Sequence, residues 1–287
     1  MSRLVSTSRG IGRLEDGDIV AHLDVAHADL GQALQAGLSV AEIGAARVLE
    51  RTALAATSLL ATIPRPSKIW AVGFGYHDHR TEVGFDEEVG DPIIFLKAPS
   101  SVIGTGRDIR LPRAAPREVD YEGELGIVIG ERLTDVDEDH ARSGVAGYTI
   151  CNDVSARDVQ KGRVPGRKAD VSAAKSFDSF TPMGPCLATL DEFDDPDDLR
   201  LRTWVDDELR QDARTSDLIH PVRNIVAYLS RQTTLEPGDV ILTGTPAGVG
   251  HKQGKFLRPG ATARIEIEGI GELVNTVADT SALSTNR

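Results

Sequence analysis

Glu122 and Glu124 sit on either side of Gly123 in Asp120-Tyr121-Glu122-Gly123-Glu124-Leu125-Gly126-Ile127-Val128-Ile129, a run whose apolar end reads as a buried strand. Strand side chains alternate between faces, so the two carboxylates share a face with Asp120 behind them. Tyr121, Leu125, Ile127 and Ile129 take the opposite face. Same-face neighbours stand about 7 Å apart, close enough to converge on one object. Like charges held that way are unfavourable unless something positive lies between their tips, and a divalent cation is the simplest such object. A solvent-facing strand would carry the same acids, but Leu125 to Ile129 argue for burial.

A third acid lies in Cys151-Asn152-Asp153-Val154-Ser155-Ala156-Arg157-Asp158-Val159-Gln160. Gly147–Cys151 reads as a strand and the segment after Asp153 as one or two helical turns. Arg157 and Gln160 then project near Asp153 at i+4 and i+7. Three carboxylates without a Cys/His cluster form a hard-cation set, suited to Mg²⁺, Mn²⁺ or Ca²⁺ rather than structural zinc. Taken alone, Asp153 fits a helix N-cap equally well.

Gly73-Phe74-Gly75-Tyr76-His77-Asp78-His79-Arg80-Thr81-Glu82 opens as a Gly-x-Gly after a strand, but Asp78 stands where a dinucleotide fingerprint needs its third glycine. His79 and Glu82, three apart, share a face if a helix starts here. A carboxylate beside an imidazole raises its basicity and fixes its tautomer, as a general base requires. Surface helices also carry such pairs. Lys175 follows the Gly/Lys/Arg-rich loop Lys161–Lys168. Thr243-Gly244-Thr245-Pro246-Ala247-Gly248-Val249-Gly250 lacks the Gly-Lys-Ser/Thr of a P-loop, and its backbone N–H groups suit a small carboxylate instead.

The elements that must carry these groups divide the chain in two. Residues 1–62 read as a small N-terminal α+β domain. It has strands at Ser2–Ser6 and Asp18–Leu23, and a capping box, Ser39-Val40-Ala41-Glu42, opening a helix to about Leu60. Ile63-Pro64-Arg65-Pro66 is the boundary. Residues 63–287 read as β-rich, with short strands at Ile69–Gly73, Ile93–Leu96, Tyr121–Ile129, Val145–Cys151, Leu187–Leu190, Leu201–Val205, Val240–Thr243, Thr262–Ile267 and Gly271–Thr276. The clearest helix is Pro221–Ser230. Such a pattern predicts a β-rich α+β sandwich or roll.

The 287 residues carry a net charge of −12, from 32 basic against 44 acidic residues, which excludes a basic nucleic-acid face. Two cysteines, Cys151 and Cys186, form no disulfide framework, and neither a signal peptide nor a membrane span is readable. A soluble, cytoplasmic protein is the expectation.

In order, these motifs closely resemble the fumarylacetoacetate hydrolase family. The matches are Phe95-Leu96-Lys97-Ala98-Pro99-Ser100, Tyr121-Glu122-Gly123-Glu124-Leu125, Asn152 to Gln160, Ala174-Lys175-Ser176-Phe177-Asp178 and Thr243 to Gly250, spanning residues 63 to about 278. The resemblance implies a mixed β-sandwich roll, usually a homodimer, with Mg²⁺ or Mn²⁺ (Ca²⁺ as a stand-in in crystals) held by Glu122, Glu124 and Asp153. It implies His79 and Glu82 as a catalytic dyad on a lid, with Lys175 beside them. Tyr76, Arg157, Gln160 and Thr245 would bind the substrate, a small 2-oxo or diketo acid. Asp120 falls outside the implied ligand set. One departure is Gly75, where the family commonly has asparagine.

The expected activity is metal-dependent hydrolysis of a carbon–carbon bond in an acylpyruvate- or fumarylacetoacetate-like 1,3-diketo acid, in the catabolism of aromatic or sugar-derived acids. Isomerisation of a hydroxymuconate-type diacid such as 2-hydroxyhepta-2,4-diene-1,7-dioate, or decarboxylation of oxaloacetate, would use the same groups. A cupin oxygenase fits poorly, because the spacings around His77-x-His79-x-x-Glu82 are too short. A non-catalytic ligand-binding relative would bind metal and oxalate without turnover.

Overall fold

The structure, a computed structural model, describes residues 2–16, 18–85, 90–195 and 197–279. Its centre is the Gly123–Ile129 strand, buried at every position. Val145–Asn152 flanks it antiparallel on one side and Val240–Leu242 on the other. Around this trio a long mixed sheet runs in the order Val48–Ala53, Ile19–Leu23, Gly10–Glu15, Arg3–Thr7, Thr181–Ala188, Val145–Asn152, Gly123–Ile129, Val240–Leu242, Ile69–Gly73 and Ile93–Lys97. Val240–Leu242 and Ile69–Gly73 pair in parallel.

A second sheet, of five described strands, runs Glu208–Arg214, Arg200–Val205, Thr262–Ile267, Gly271–Ala278 and Ile109–Arg110. The strand period decides how the sheets stack. Leu125, Ile127 and Ile129 project into one core with Leu201, Ile265, Ile267 and Leu273 of the second sheet and with Val222, Ile225, Val226 and Leu229 of helix Val222–Gln232. Val128 points to the other face, into a core with Leu187, Leu242 and Leu30, Ala33 and Leu34 of helix Leu30–Gln35. Each large aliphatic side chain so buried contributes about 1.5–3 kcal/mol. Both faces are covered, which is why this strand reads as continuously apolar apart from its acidic start.

The β-rich α+β class holds, and the differences have physical reasons. The capping box forms at Ser39 and Glu42, but its helix stops at Ala45. The residues that follow, Val48–Ala53, instead form a strand on Ile19–Leu23, where an edge offers backbone partners that an isolated Ala-rich helix lacks. Leu187–Leu190 shifts to Thr181–Ala188, and Glu208–Arg214 is a strand with no counterpart in the sequence reading. Arg3–Thr7 pairs with Thr181–Ala188, so the long sheet crosses the boundary at residue 62 without a break. No helix among the described residues is long and apolar enough to cross a membrane.

Candidate functional site

Strand register brings the three acids together. Gly123 pairs with Asn152, so Glu122, just ahead of one strand, meets Asp153, just beyond its neighbour. The Asp153 N–H donates to the Glu122 carbonyl (2.8 Å), and the Glu122 N–H donates to Asn152 Oδ1 (3.0 Å). Glu124 follows on the same face. Each residue offers one carboxylate oxygen, and the three oxygens lie within 4.8 Å of one another, all buried.

A partner pins one oxygen of each carboxylate. Arg157 Nη2 donates to Glu122 Oε1 (2.5 Å), Lys97 Nζ to Asp153 Oδ1 (2.5 Å) and the Gly244 N–H to Glu124 Oε2 (2.7 Å). Lys175 Nζ donates to Glu122 Oε2 (2.5 Å) and Asp153 Oδ2 (2.6 Å). Burial alone would raise the Glu122 pKa, but Arg157 and Lys175 outweigh it and hold that carboxyl far below the usual range. Glu124 goes the other way. Burial, then the charges of Asp153 and Glu122, push it well above the usual value, against the smaller pull of Lys175 and the Gly244 N–H. Burial likewise opposes the charged form of Lys175, and attraction to Asp153 and Glu122 overcomes it and raises its pKa. An all-oxygen donor set with one carboxyl still lacking a counter-charge fits a hard divalent cation. Glu122, Glu124 and Asp153 are the residues that would hold it.

Asp120 lies beyond this cluster and acts as a brace. Its carboxylate accepts from Arg157 Nε (2.8 Å) and from the N–H groups of Gly250 (2.8 Å) and His251 (3.0 Å). Arg157 spends its remaining edge on Gln160 Oε1 (2.9 Å). Thr245 Oγ1 donates to the Gly123 carbonyl (2.9 Å) and accepts from Gln211 Nε2 (2.7 Å). Gln211 Oε1 accepts the Gly123 N–H (3.0 Å), so this one buried amide clamps the start of the Gly123–Ile129 strand to the Thr245 loop. Sequence reasoning gave neither Gln211 nor Lys97 a role, although Lys97 lies within a matched motif. Gln211 offers no signal in a strand of charged residues, whereas a lysine closing the apolar run Ile93-Ile94-Phe95-Leu96 could have been noticed.

The His79–Glu82 pair forms as its spacing predicts, on helix His77–Val83. Glu82 Oε2 lies 3.1 Å from His79 Nδ1, and Glu82 Oε1 accepts the Gly248 N–H (3.0 Å). A carboxylate only accepts, so Nδ1 carries the proton and Nε2 keeps its lone pair. Phe74 holds a left-handed φ of 54°, a conformation that costs a bulky residue of order 1–3 kcal/mol. Its ring stacks on Phe85 (4.6 Å between centroids) and on His79 (6.0 Å).

A cavity of about 640 Å³ collects these groups. Its polar walls include His79, Glu122, Glu124, Arg157, Gln160, Lys175 and Thr245 together with Lys161, His251 and Lys252, and its apolar walls include Phe74, Phe85, Ile93 and Phe95. Asp153, Glu82 and Tyr76 are not among its walls. Tyr76 is fully buried, its hydroxyl without a hydrogen-bond partner among the described residues and its pKa raised by burial and by nearby Glu124.

Comparison with known proteins agrees in sequence and in fold. The chain is 40% identical to an oxaloacetate tautomerase of Bacillus subtilis (strain 168) over 228 residues, 78% of this chain and 74% of that protein. It is 41% identical to a mitochondrial oxaloacetate tautomerase of Xenopus laevis over 222 residues, 77% of this chain and 68% of that one. The crystal structure of 2-hydroxyhepta-2,4-diene-1,7-dioate isomerase from Mycobacterium marinum superposes with a TM-score of 0.79 at 36% identity, covering 97% of this chain and 99% of that one. The fumarylacetoacetate hydrolase from psychrophilic Exiguobacterium antarcticum does so with a TM-score of 0.85 at 36% identity, over 97% and 100%. The sequence model described as fumarylacetoacetate (FAA) hydrolase C-terminal matches residues 68–278, and the chain belongs to that family.

Proposed function

We propose that this protein is a divalent-cation-dependent enzyme that moves a proton through the enolate of a small 2-oxo dicarboxylic acid, a tautomerase or isomerase. The observation that carries it is the cavity lined together by His79, Glu122, Glu124 and Lys175. The names of the relatives, oxaloacetate tautomerase and dioate isomerase, favour proton transfer over cleavage.

A cation held by Glu122, Glu124 and Asp153, Mg²⁺ or Mn²⁺, would supply Lewis-acid polarisation of the substrate's keto group. His79 Nε2 takes the proton from the carbon next to that group, and the electron pair moves onto the keto oxygen. Glu82 holds the imidazolium so formed. Lys175 has two of its three N–H bonds on Glu122 and Asp153, and the third is free to donate to the enolate oxygen. Returning the proton to oxygen gives the enol, and returning it to a carbon further along a conjugated chain gives the isomer. Decarboxylation of oxaloacetate passes through the same enolate without a base.

A second reading has its own support. The cavity is far larger than a four-carbon acid needs, and Phe74, Phe85, Ile93 and Phe95 among its walls suit an acyl group. That favours carbon–carbon hydrolysis of a longer 1,3-diketo acid. A panel of oxaloacetate, a 2-hydroxydienoic dioate and acylpyruvates, each assayed with Mn²⁺ and again after chelation, separates the two. Metal-dependent enol–keto interconversion or double-bond migration is expected. Cleavage of acylpyruvates with no proton transfer on the other substrates would replace the first reading with the second.

A further inference from the structure

The cavity carries more positive charge than its own acids use. Lys175 is spent on Glu122 and Asp153, and Arg157 on Asp120, Glu122 and Gln160. Lys161 and Lys252 also line the walls, and neither forms an ion pair among the described residues. Their near neighbours in the chain do: Arg163 pairs with Glu118 and Lys255 with Glu208, which occupies those two acids. Both unpaired lysines are exposed, so they belong to the mouth of the cavity rather than its floor.

Asp120 explains why two lysines from distant segments share one cavity. Its carboxylate accepts from Arg157 Nε, on the helix Arg157–Gln160 that Lys161 closes. It also accepts from the N–H groups of Gly250 and His251, which open the helix Gly250–Gln253 that carries Lys252. One buried carboxylate therefore ties the two short helices together. Lys161 feels the result: partial burial, then the charges of Arg157 and Lys252, lower its pKa, and Asp120 opposes them. Glu122, Glu124 and Asp153 are not among the charges that act on it, so the lysines stand apart from the acid cluster. Like charges gathered without a counter-ion are unfavourable, and a cleft lined with one sign concentrates the other.

We propose that Lys161 and Lys252 bind the distal carboxylate of the substrate while its 2-oxo acid end sits at the acid cluster. The hydrocarbon between the two ends is left to the apolar walls. The substrate is then a diacid with an apolar middle, rather than a keto acid with an uncharged acyl tail. Both lysines lie just past the matched motifs, which end at Gln160 and Gly250, so this selectivity belongs to the chain's own loops. It rests on the reading that a 2-oxo acid binds at a cation held by Glu122, Glu124 and Asp153.

Calorimetric titration of the Mn²⁺-loaded protein tests it without needing turnover. The probes are 2-oxo diacids from oxaloacetate to 2-oxopimelate, each set against the 2-oxo monoacid of equal length, so that a pair differs only in the distal carboxylate. The wild type is expected to bind at least one diacid about tenfold or more tighter than its monoacid, as a charge-assisted contact gives. Lys161→Gln and Lys252→Gln together are expected to erase that difference. Lys168→Gln, at an exposed lysine of the same loop that does not line the cavity, is expected to keep it. No preference for any diacid in the wild type overturns the inference, and that result needs no variant to fold. A preference that survives the double substitution, or that is lost equally in Lys168→Gln, overturns it too. A wild type that binds neither member of any pair overturns the underlying reading instead.

Discussion

Lys97 Nζ lies 2.5 Å from Asp153 Oδ1, with neither side chain exposed by more than 1%. The same ammonium donates to the carbonyls of Lys175 (2.5 Å) and Phe180 (3.1 Å), so one buried cation joins the end of an apolar strand to Asp153 and to the segment that carries Lys175. Burial lowers its pKa, against the pull of Asp153. Removing it strands a carboxylate oxygen and two carbonyls away from water. Lys97→Met is expected to lose about 3–5 kcal/mol of folding stability in urea denaturation, the range for breaking one side of a buried pair. A loss below about 1 kcal/mol, typical of an exposed pair, would show that water reaches this ammonium.

Arg157 makes a different kind of demand, because its three contacts need a fork. Nε reaches Asp120, Nη2 reaches Glu122 and Nη1 reaches Gln160. Arg157→Lys keeps the charge and cannot span all three. Cation affinity is expected to fall about 10–100-fold, the usual effect of losing a group that orients a ligand, while the fold persists. Calorimetric titration with Mn²⁺ checks it, and an unchanged affinity would mean that charge alone holds Glu122.

The contrast between Lys97 and His79 explains how much was legible in advance. His79 and Glu82 lie at a helical spacing within one short segment, and the helix formed as expected. Ile69–Gly73 and Thr262–Ile267 were readable for the same local reason, as branched aliphatic runs between turn residues. Glu122, Glu124 and Asp153 are brought together by register between two strands, and the acids stood out only because they interrupt apolar runs. Lys97 and Gln211 owe their roles to partners 56 and 88 residues away, respectively, and nothing adjacent to them in the chain announces those partners. Val48–Ala53 was misread because its strand state depends on an edge supplied by Ile19–Leu23 rather than on its own propensity. At Gly75 the backbone passes so close to the Thr243 carbonyl that a Cβ would lie 2.2 Å from its oxygen, so the asparagine common in the family needs a different local path from this one.

Glu124 sets a pH dependence for cation binding. Burial, then Asp153 and Glu122, raise its pKa well above the usual carboxylate value, so below that raised pKa the metal-free carboxyl keeps its proton. A cation needs the carboxylate, so binding expels that proton and tightens as pH rises, by about tenfold per pH unit while the site is protonated. Titrations in two buffers of different ionisation enthalpy should give apparent heats that differ by the release of one proton. Glu124→Gln is expected to bind more weakly and to lose this pH dependence. Buffer-independent heats in the wild type would place the raised carboxyl elsewhere.

Glu82 can be altered so that only the proton on His79 changes place. As a carboxylate, its Oε2 accepts from Nδ1 and leaves Nε2 free to accept a proton from substrate. In Glu82→Gln the amide oxygen still accepts the Gly248 N–H, but the NH₂ group now faces Nδ1 and donates to it. The imidazole then carries its hydrogen on Nε2 and presents a donor where a base is needed. Turnover is expected to fall about 10²–10⁴-fold, the range for loss of a general base, with Mn²⁺ affinity unchanged because Glu82 touches none of the three ligands. If proton transfer survives in Glu82→Gln at the wild-type rate, His79 is not the base, and Lys175 becomes the group to remove next.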